Sequence, residues 1–246
     1  GAGRGGNVLT NSRCRVAEIL SLAVFLVPAA GAQDAFLARW ETLRIAEPAG
    51  VELRIAAPKA KFYLGETIPL TLSFTAADAR SFTADSRLQD RVGRMNYTEE
   101  FVADPVTATE DPLRGLPGES GGLGGISGGN AILSSGKPFI VERILNEWVR
   151  FRATGTYRIY VMSRRVSQVT GTGLTDDQLQ TTGGRKPVEV VSNVITIEIA
   201  PGPPEWVPEQ ITAASAAVAE TTENDNESVR ARQRAGLALR FLNTLD

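Results

Sequence analysis

The sequence predicts a mainly β protein in which an antiparallel β-sandwich precedes a pair of helices. Two observations lead to this prediction. Several short segments between residues 51 and 200 alternate apolar and polar side chains, the pattern of strands that bury one face. Beyond the proline-rich stretch 201–206, apolar side chains recur at helical spacing. About seven alternating strands joined by turns are typical of an immunoglobulin-like (Ig-like) sandwich.

The first two strands carry the clearest alternation. The segment VELRIAA, residues 51–57, predicts one strand, and Gly65 marks a turn after it. The segment TIPLTLSFT, residues 67–75, predicts the next strand. Pro69 has no amide hydrogen to donate, so we expect that side of its strand to be unpaired and near a sheet edge. The apolar residues on one face of this strand are Ile68, Leu70, Leu72 and Phe74.

Two longer connections separate the remaining strands of the sandwich. One is the Gly- and Pro-rich segment Asp104–Lys137, and the other is the polar segment Ser167–Lys186. Connections of this length in a compact domain are usually functional or disordered. The remaining strands are predicted within residues 80–85, 94–103, 138–151, 156–166 and 188–200.

Tyr157 allows two interpretations. It lies two residues after Gly155, at the start of a predicted strand. In Ig-like sandwiches a tyrosine at such a corner donates its hydroxyl to a backbone carbonyl of the preceding loop. Ordinary packing of the ring in the core fits the same position, and the sequence leaves both interpretations open.

Residues 201–246 predict a Pro-rich linker followed by two helices. Three prolines within PGPPEW, residues 201–206, end the sheet. Pro208 suits the first turn of one helix, and residues 226–244 predict the second. Because the chain starts at Gly1 rather than Met and stops directly after an apolar helical segment, we expect the protein to continue beyond both ends.

Residues 1–32 predict a secretory signal peptide. Arg13 and Arg15 give a positively charged start, and the apolar stretch 19–32 follows; its last three residues, Ala-Gly-Ala, fit the cleavage rule before Gln33. The stretch is shorter than the roughly 20 residues of a membrane-spanning helix. An uncleaved anchor or a buried core helix is the alternative.

Cleavage would give an exported protein, periplasmic or extracellular, without a membrane span. Residues 33–50 would then form an N-terminal linker ahead of the sandwich, residues 51–200. The segment AFLARWETLRIA within this linker fits a short helix or an extended segment, and its periodicity does not decide between them.

Composition excludes several kinds of chemistry. The chain contains no histidine, and signal cleavage would remove Cys14, its one cysteine. A catalytic triad with an imidazole base, a Cys/His zinc site and a disulfide are therefore all excluded from the exported chain. The 26 basic and 28 acidic residues nearly balance, so no basic field is available to attract nucleic acid. We expect no cofactor.

Three motifs resemble catalytic or ligand-binding signatures without satisfying them. Ser120 lies in a G-x-S-x-G pattern, but a nucleophile elbow needs a strand before it and a helix after it, even if Lys137 replaced the missing imidazole. Gly136-Lys137 is followed by Pro138 instead of the Ser or Thr of a phosphate-binding loop. Acidic residues near the long connection suit calcium but lack EF-hand spacing, so solvated charge is the default interpretation. These acids are Asp85, Asp90, Asp104, Glu110 and Asp111.

A recognition surface is the functional site that the sequence favours. Trp148 and Phe151 have opposite parity on one predicted strand, so one should be core and the other should face outward or into the long connection. An exposed aromatic side chain there would suit recognition of a peptide or sugar, although core packing is the commoner fate. The candidate recognition residues are Trp148, Asp111, Leu113, Gly121, Gly122 and Leu123.

Five arginines form a local basic stretch on the same strands. We interpret them as a solvated strand face with weak ion pairs, in preference to an anion-binding site. They are Arg150, Arg152, Arg158, Arg164 and Arg165.

Six segments in a fixed order resemble a known group of proteins. They are DPL (111–113), GGL (121–123), LNEWVRF (145–151), GTYRIYVMSRRV (155–166), SNVITIEI (192–199) and Trp206. Over residues 51–246 the chain resembles secreted bacterial proteins of unassigned function, in which an Ig-like sandwich precedes HEAT-like helical repeats. The resemblance implies that the two C-terminal helices begin a repeat array, and it brings no activity and no catalytic residue.

Taken together, these features favour an exported, non-enzymatic binding module. The sandwich would present the connections 104–137 and 167–186 to a protein or peptide partner. A protease-inhibitor-like module and an accessory domain of a larger secreted enzyme are the alternatives. An enzyme that uses only carboxylates, lysine or serine is a further alternative.

Overall fold

The structure is a computed structural model. It describes residues 1–2, 30–87, 98–112, 129–181, 184–220 and 226–242. Of the predicted signal peptide, only the first two and the last three residues fall within these ranges. The last three begin the first helix.

The described chain is mainly β, which confirms the fold class predicted from the sequence. Helices lie near both ends, and one short helix lies between strands. The helices are α1 (Ala30–Ala46), α2 (Asp176–Thr181), α3 (Trp206–Glu220) and α4 (Asn226–Phe241). The strands are β1 (Val51–Ala56), β2 (Lys61–Tyr63), β3 (Pro69–Ala76), β4 (Phe82–Asp85), β5 (Glu99–Asp104), β6 (Thr109–Glu110), β7 (Asn130–Ile132), β8 (Phe139–Ile144), β9 (Arg150–Phe151), β10 (Gly155–Ser163), β11 (Val166–Val169), β12 (Arg185–Pro187), β13 (Val190–Val191) and β14 (Ile195–Ala200).

Three sheets build the sandwich. The first has the order β1-β3-β8 and is antiparallel. In the second, β10 is central: Ile159 pairs with Ala103 of β5 on one side and with Ile195 of β14 on the other, and β14 continues to β2 in a parallel pair. The third sheet has the order β12-β11-β4-β7, and β6 pairs separately with β9.

One apolar core joins the three sheets. The predicted face of β3 is confirmed, because none of its four apolar residues is more than 1% exposed. Burying a side chain of this size stabilises a fold by roughly 1.5–3 kcal/mol. Other strands of the first and second sheets contribute to the same core. Their buried residues are Leu53 and Ile55 of β1, Val141 of β8, Tyr157, Ile159 and Val161 of β10, and Ile197 and Ile199 of β14.

Pro69 lies at the first position of β3, opposite Ile144 of β8. The expectation of a sheet edge was wrong, because β3 is the central strand of its sheet. The β1–β3 pairing begins only at Thr71, so Pro69 lies beyond the end of β1. The missing amide hydrogen therefore interrupts no pairing with β1.

The segment 138–151 is two strands separated by a 3₁₀ turn at Leu145–Glu147. The side chain of Asn146 explains the interruption: its Oδ1 accepts the amide of Ile68 at 2.7 Å, and its Nδ2 donates to the carbonyl of Glu66 at 3.0 Å. The alternation of faces is lost across the turn. Of the two orientations predicted for one of these aromatic residues, outward or into the long connection, the outward one was wrong, since Trp148 and Phe151 are 8% and 6% exposed.

Tyr157 fulfils both interpretations given above. Its ring is buried and packs edge-on against Phe151 at 4.7 Å between centroids. Its hydroxyl donates to the carbonyl oxygen of Ala153 at 2.7 Å. The tyrosine therefore fixes the corner between β9 and β10 while filling the core.

Helix α1 covers the outer face of the second sheet, so residues 33–50 contain a docked helix. Phe36 packs on Tyr160 at 5.0 Å between ring centroids, and the indole Nε1 of Trp40 donates to the carbonyl of Ser192 at 2.8 Å. At the end of the helix, the carboxylate of Glu47 accepts the amide hydrogen of Val191 at 2.5 Å. Burial raises the pKa of Glu47, and that hydrogen bond offsets only part of the increase.

Helices α3 and α4 pack as a hairpin after the sandwich. The interface buries the small side chains of Ala214 and Ala235. Trp206, at the start of α3, packs edge-on against Tyr63 of β2 at 5.3 Å. Among the described residues, no helix is both long enough and apolar enough to cross a membrane.

Replacing Glu47 with Gln should change how stability depends on pH. A carboxyl whose pKa is higher in the folded state loses its stabilising contribution as pH rises through that raised pKa. Glutamine cannot ionise but still accepts the Val191 amide. Relative to the unmodified protein, the Glu47→Gln variant should therefore gain unfolding free energy as pH rises above the usual value of 4.5. Urea unfolding between about pH 4 and pH 8 measures this difference.

The matched control is Glu41→Gln, at an exposed position of the same helix. Parallel pH–stability curves for the unmodified protein and Glu47→Gln would contradict the assigned burial effect.

Candidate functional site

The two connections singled out in the sequence meet in the third sheet. The Asp104–Lys137 connection supplies β7, and the Ser167–Lys186 connection supplies most of β11, all of α2 and the start of β12. The Nδ2 of Asn130 donates to the carbonyl of Gln180 at 2.9 Å, which ties β7 to α2. We call residues 85–87, 98–99, 129–132 and α2 the loop platform.

The platform holds the residues on both sides of segment 88–97 and the residues that directly follow segment 113–128. Asp85 pairs with Asn130, so the chain leading into residues 88–97 lies beside the chain that follows residues 113–128. The amide of Ser86 donates to the carbonyl of Gly129 at 3.1 Å. The segments 88–97 and 113–128 themselves lie outside the described residues.

A buried ion pair forms the base of the platform. The guanidinium of Arg165 donates from Nε to Oε1 of Glu99 at 2.6 Å and from Nη2 to Oε2 at 3.0 Å. Neither side chain is exposed. The interpretation of Arg165 as part of a solvated strand face was wrong, because its position shares the inward parity of Tyr157, Ile159 and Val161. Such a two-pronged contact is among the stronger and more directional hydrogen-bond arrangements in proteins.

The same guanidinium holds the chain on both sides of residues 88–97. Its Nη1 donates to the carbonyl oxygen of Asp85 at 2.6 Å and to that of Arg87. Its Nη2 also reaches the hydroxyl of Thr98 at 3.3 Å. One side chain therefore closes the base of this segment with hydrogen bonds to residues at both of its ends.

Glu99 is shared by a second arginine from the first sheet. The Nη2 of Arg143 lies 3.5 Å from Oε2 of Glu99, and its guanidinium stands 5.8 Å from the centroid of the Trp148 ring. Burial lowers the pKa of Arg143, and the like charge of Arg165 acts in the same direction. The carboxylates of Glu99 and Glu147 act on the pKa of Arg143 in the opposite direction.

The edge of the platform carries a partly exposed ion pair between Asp85 and Arg87. Burial would raise the pKa of Asp85, but hydrogen bonds and charge from Arg87, together with the charge of Arg165, hold it below its usual value. Asp85 was one of the acids that suited calcium, and its carboxylate is instead occupied by a guanidinium.

Two of the other acids weighed for calcium are also engaged. Asp104 pairs with Arg158 at 2.6 Å, and Glu110 pairs with Arg152. Over the described ranges, no three Asp, Glu, His or Cys residues are grouped so as to hold a metal ion. Asp90 and Ser120 lie outside the described residues.

The predicted recognition residues are not brought together by the described structure. Trp148 is buried against Phe101 at 4.9 Å between ring centroids, so it supports the arginine pair and is not a solvent-facing contact. Asp111 is half-buried near the end of a described range. The remaining predicted residues, Leu113, Gly121, Gly122 and Leu123, lie outside the described ranges.

No protein-family model matches the chain, and no curated protein does. The resemblance to secreted bacterial proteins with HEAT-like repeats therefore stays a prediction. Among solved structures, the chain is similar to one from the complex of zinc 2-glycoprotein and prolactin-inducible protein from human seminal plasma, with a TM-score of 0.23 and 10% identity over 58% of this chain and 94% of that chain.

A second similarity is to AvmM, which catalyses macrocyclisation in alchivemycin A biosynthesis. Its TM-score is 0.27, with 14% identity over 63% of this chain and 92% of that chain. Scores and identities this low carry no argument about what the present chain does.

Replacing Arg165 should destabilise the protein far more than replacing its neighbour. Arg165→Met leaves Glu99 buried without its main partner, and breaking a buried pair on one side typically costs about 3–5 kcal/mol. Arg164 is exposed and makes a surface ion pair with Glu189, so Arg164→Met should cost less than about 1 kcal/mol. Urea unfolding of both variants measures the difference.

The double variant Arg165→Met/Glu99→Gln should regain part of the loss, because no unpaired carboxylate then remains in the core. Equal losses for the two single arginine variants would contradict the stabilising role assigned to the buried Arg165–Glu99 pair.

Proposed function

We propose that this protein is an exported, non-enzymatic binding module that presents the loop platform to a protein or peptide partner. The observation that carries the proposal is the Arg165–Glu99 clamp, which fixes the base of a segment that emerges beside the other connection. Binding residues in many proteins lie on loops held by a rigid scaffold. The clamp supplies that rigidity here.

The energetics of the clamp support a role beyond stability. Burying two charges costs several kcal/mol per ion, and an apolar replacement of similar volume is often neutral or stabilising. A buried pair is therefore weak evidence for stability alone. The Arg165 guanidinium makes directional hydrogen bonds to Glu99, Asp85 and Thr98. These bonds fix the position of the backbone on both sides of segment 88–97, which an apolar side chain could not do.

Export is supported by the sequence of residues 1–32 and by the composition of the remainder. The remainder contains neither cysteine nor histidine. Without a cysteine, it has no thiol that could be oxidised in an oxidising compartment. Helix α1 continues past the predicted cleavage point to Ala46, and Phe36, three residues beyond Gln33, contributes to its packing on the sandwich.

Expression of the full chain in a bacterial host with a secretory pathway tests export. We expect the protein in the periplasm or the medium, with an N-terminus at Gln33 by peptide sequencing. Changing the last residue before the predicted cut, Ala32→Arg, should block processing, because a small side chain is required there. A processed N-terminus elsewhere, or a membrane-retained chain that keeps residues 1–32, would contradict the assignment.

A selection of displayed linear peptides against the exported chain tests the binding surface. Selected peptides should bind the unmodified protein and lose affinity for Asp177→Arg, which reverses an exposed charge on α2. The matched control is Glu41→Arg, the same charge reversal at an exposed position of α1, which should leave their affinity unchanged.

Equal binding to both charge-reversal variants would place the binding surface elsewhere. Turnover of ester, peptide or glycoside substrates by the purified chain would contradict the non-enzymatic part of the proposal.

A further inference from the structure

A groove of about 390 Å³, lined by both apolar and polar side chains, lies at the opposite edge of the third sheet from β7. The end of α1 forms one wall with Leu43 and Ala46, and residues 186–191 form the other. Met162 of β10 also lines it. We call this the edge groove. Its volume lies within the roughly 300–1,000 Å³ of typical ligand pockets.

The strand beside the edge groove has an open side. The amide of Val188 donates to Val166 at 3.0 Å, and that of Thr170 donates to Gly184 at 2.7 Å, so even-numbered residues from 184 to 188 direct their backbone groups towards β11. By alternation, the carbonyl of Pro187 and the amide of Glu189 point away from β11. Both residues line the groove, and no backbone hydrogen bond to these two groups occurs within the described ranges.

Two charged side chains, Lys186 and Glu189, line the edge groove. Glu189 is paired with Arg164 at 2.6 Å. Lys186 also lines the groove and has no ion-pair partner among the residues that the structure describes. An occupant that places a carboxylate beside Lys186 would complement this charge.

We propose that the edge groove binds an extended peptide segment of a partner protein, in which a large apolar side chain neighbours an acidic one. The apolar side chain would occupy the space between α1 and residues 186–191, and the carboxylate would face Lys186. The backbone would add to the open edge through Pro187 and Glu189, as extended peptides add to sheet edges in other recognition domains. The proposal goes beyond the loop platform, because the two sites lie at opposite edges of one sheet.

The test uses the exported chain and a fluorescent probe peptide of defined sequence, acetyl-Val-Leu-Asp-Val-Leu-amide extended by a labelled lysine. Fluorescence anisotropy should show saturable binding. Ala46→Trp, which fills the groove from an exposed helix position, should abolish it. Lys186→Gln should weaken it by about two- to fivefold, the range for one exposed ion pair, and the matched control Lys137→Gln should not change it.

Two further probes separate the parts of the proposal. The peptide with Asn in place of Asp should bind Lys186→Gln and the unmodified protein equally. The peptide methylated on alternate backbone nitrogens should not bind, because it cannot pair with the strand edge. Asp177→Arg on the loop platform should leave all of these affinities unchanged, so failure at one site is distinguishable from failure at the other.

Several outcomes would overturn the proposal. They are equal binding to the unmodified protein and Ala46→Trp, or no saturable binding of the probe up to about millimolar protein. Self-association of the unmodified chain that Ala46→Trp abolishes, seen by sedimentation, would instead identify a second copy as the occupant. Unchanged thermal unfolding midpoints of the variants establish that they fold.

Discussion

The contact between Arg165 and Glu99 lies where two pairs of neighbouring strands meet. Glu99 begins β5, which pairs with β10 as far as Ser163, and Arg165 leads into β11, which pairs with β4. The same guanidinium binds the carbonyl of Asp85, the last residue of β4, and that of Arg87 just beyond it. In a low-dielectric interior, charges are stable only when paired and fully hydrogen-bonded. The Arg165 and Glu99 side chains are therefore each held in one position. Because Arg165 also binds the residues on both sides of segment 88–97, the backbone there is fixed as well. Arg143 and the ring of Trp148 complete the group from the first sheet.

The sandwich around this group is closed by side chains that act as strand partners. Asn193 accepts the amide of Ile55 at 2.8 Å and donates to its carbonyl at 3.2 Å, which links the edge of the first sheet to the turn between β13 and β14. Asn146 plays a similar part next to β3. Helix α1 covers the other face of the second sheet. Edges and faces that would otherwise remain open to other chains are thus occupied internally.

The third sheet carries both of the proposed binding surfaces. Its β7 edge belongs to the loop platform, and its β12 edge borders the edge groove. The two surfaces differ in what they offer a partner. The platform fixes the backbone beside segment 88–97 through directional hydrogen bonds. The groove offers apolar side chains, an open strand edge and a lysine with no ion-pair partner among the described residues. Because the two surfaces lie at opposite edges of one four-stranded sheet, two segments of a partner can bind them at the same time.

The sequence by itself determined the mainly β class, the buried face of β3, the corner tyrosine as one of two interpretations and the helical hairpin, because period-two and helical alternation are local properties of the chain. The inward parity of Arg165 with Tyr157 was also a local signal, but the sequence analysis interpreted Arg165 as solvated charge because charged side chains are rarely buried. Only the tertiary structure decided that Arg165 and Arg143 meet Glu99, that a 3₁₀ turn buries both Trp148 and Phe151, and that α1 docks on the second sheet. Those outcomes depend on partners about 45 or more residues away, whose positions no local pattern specifies.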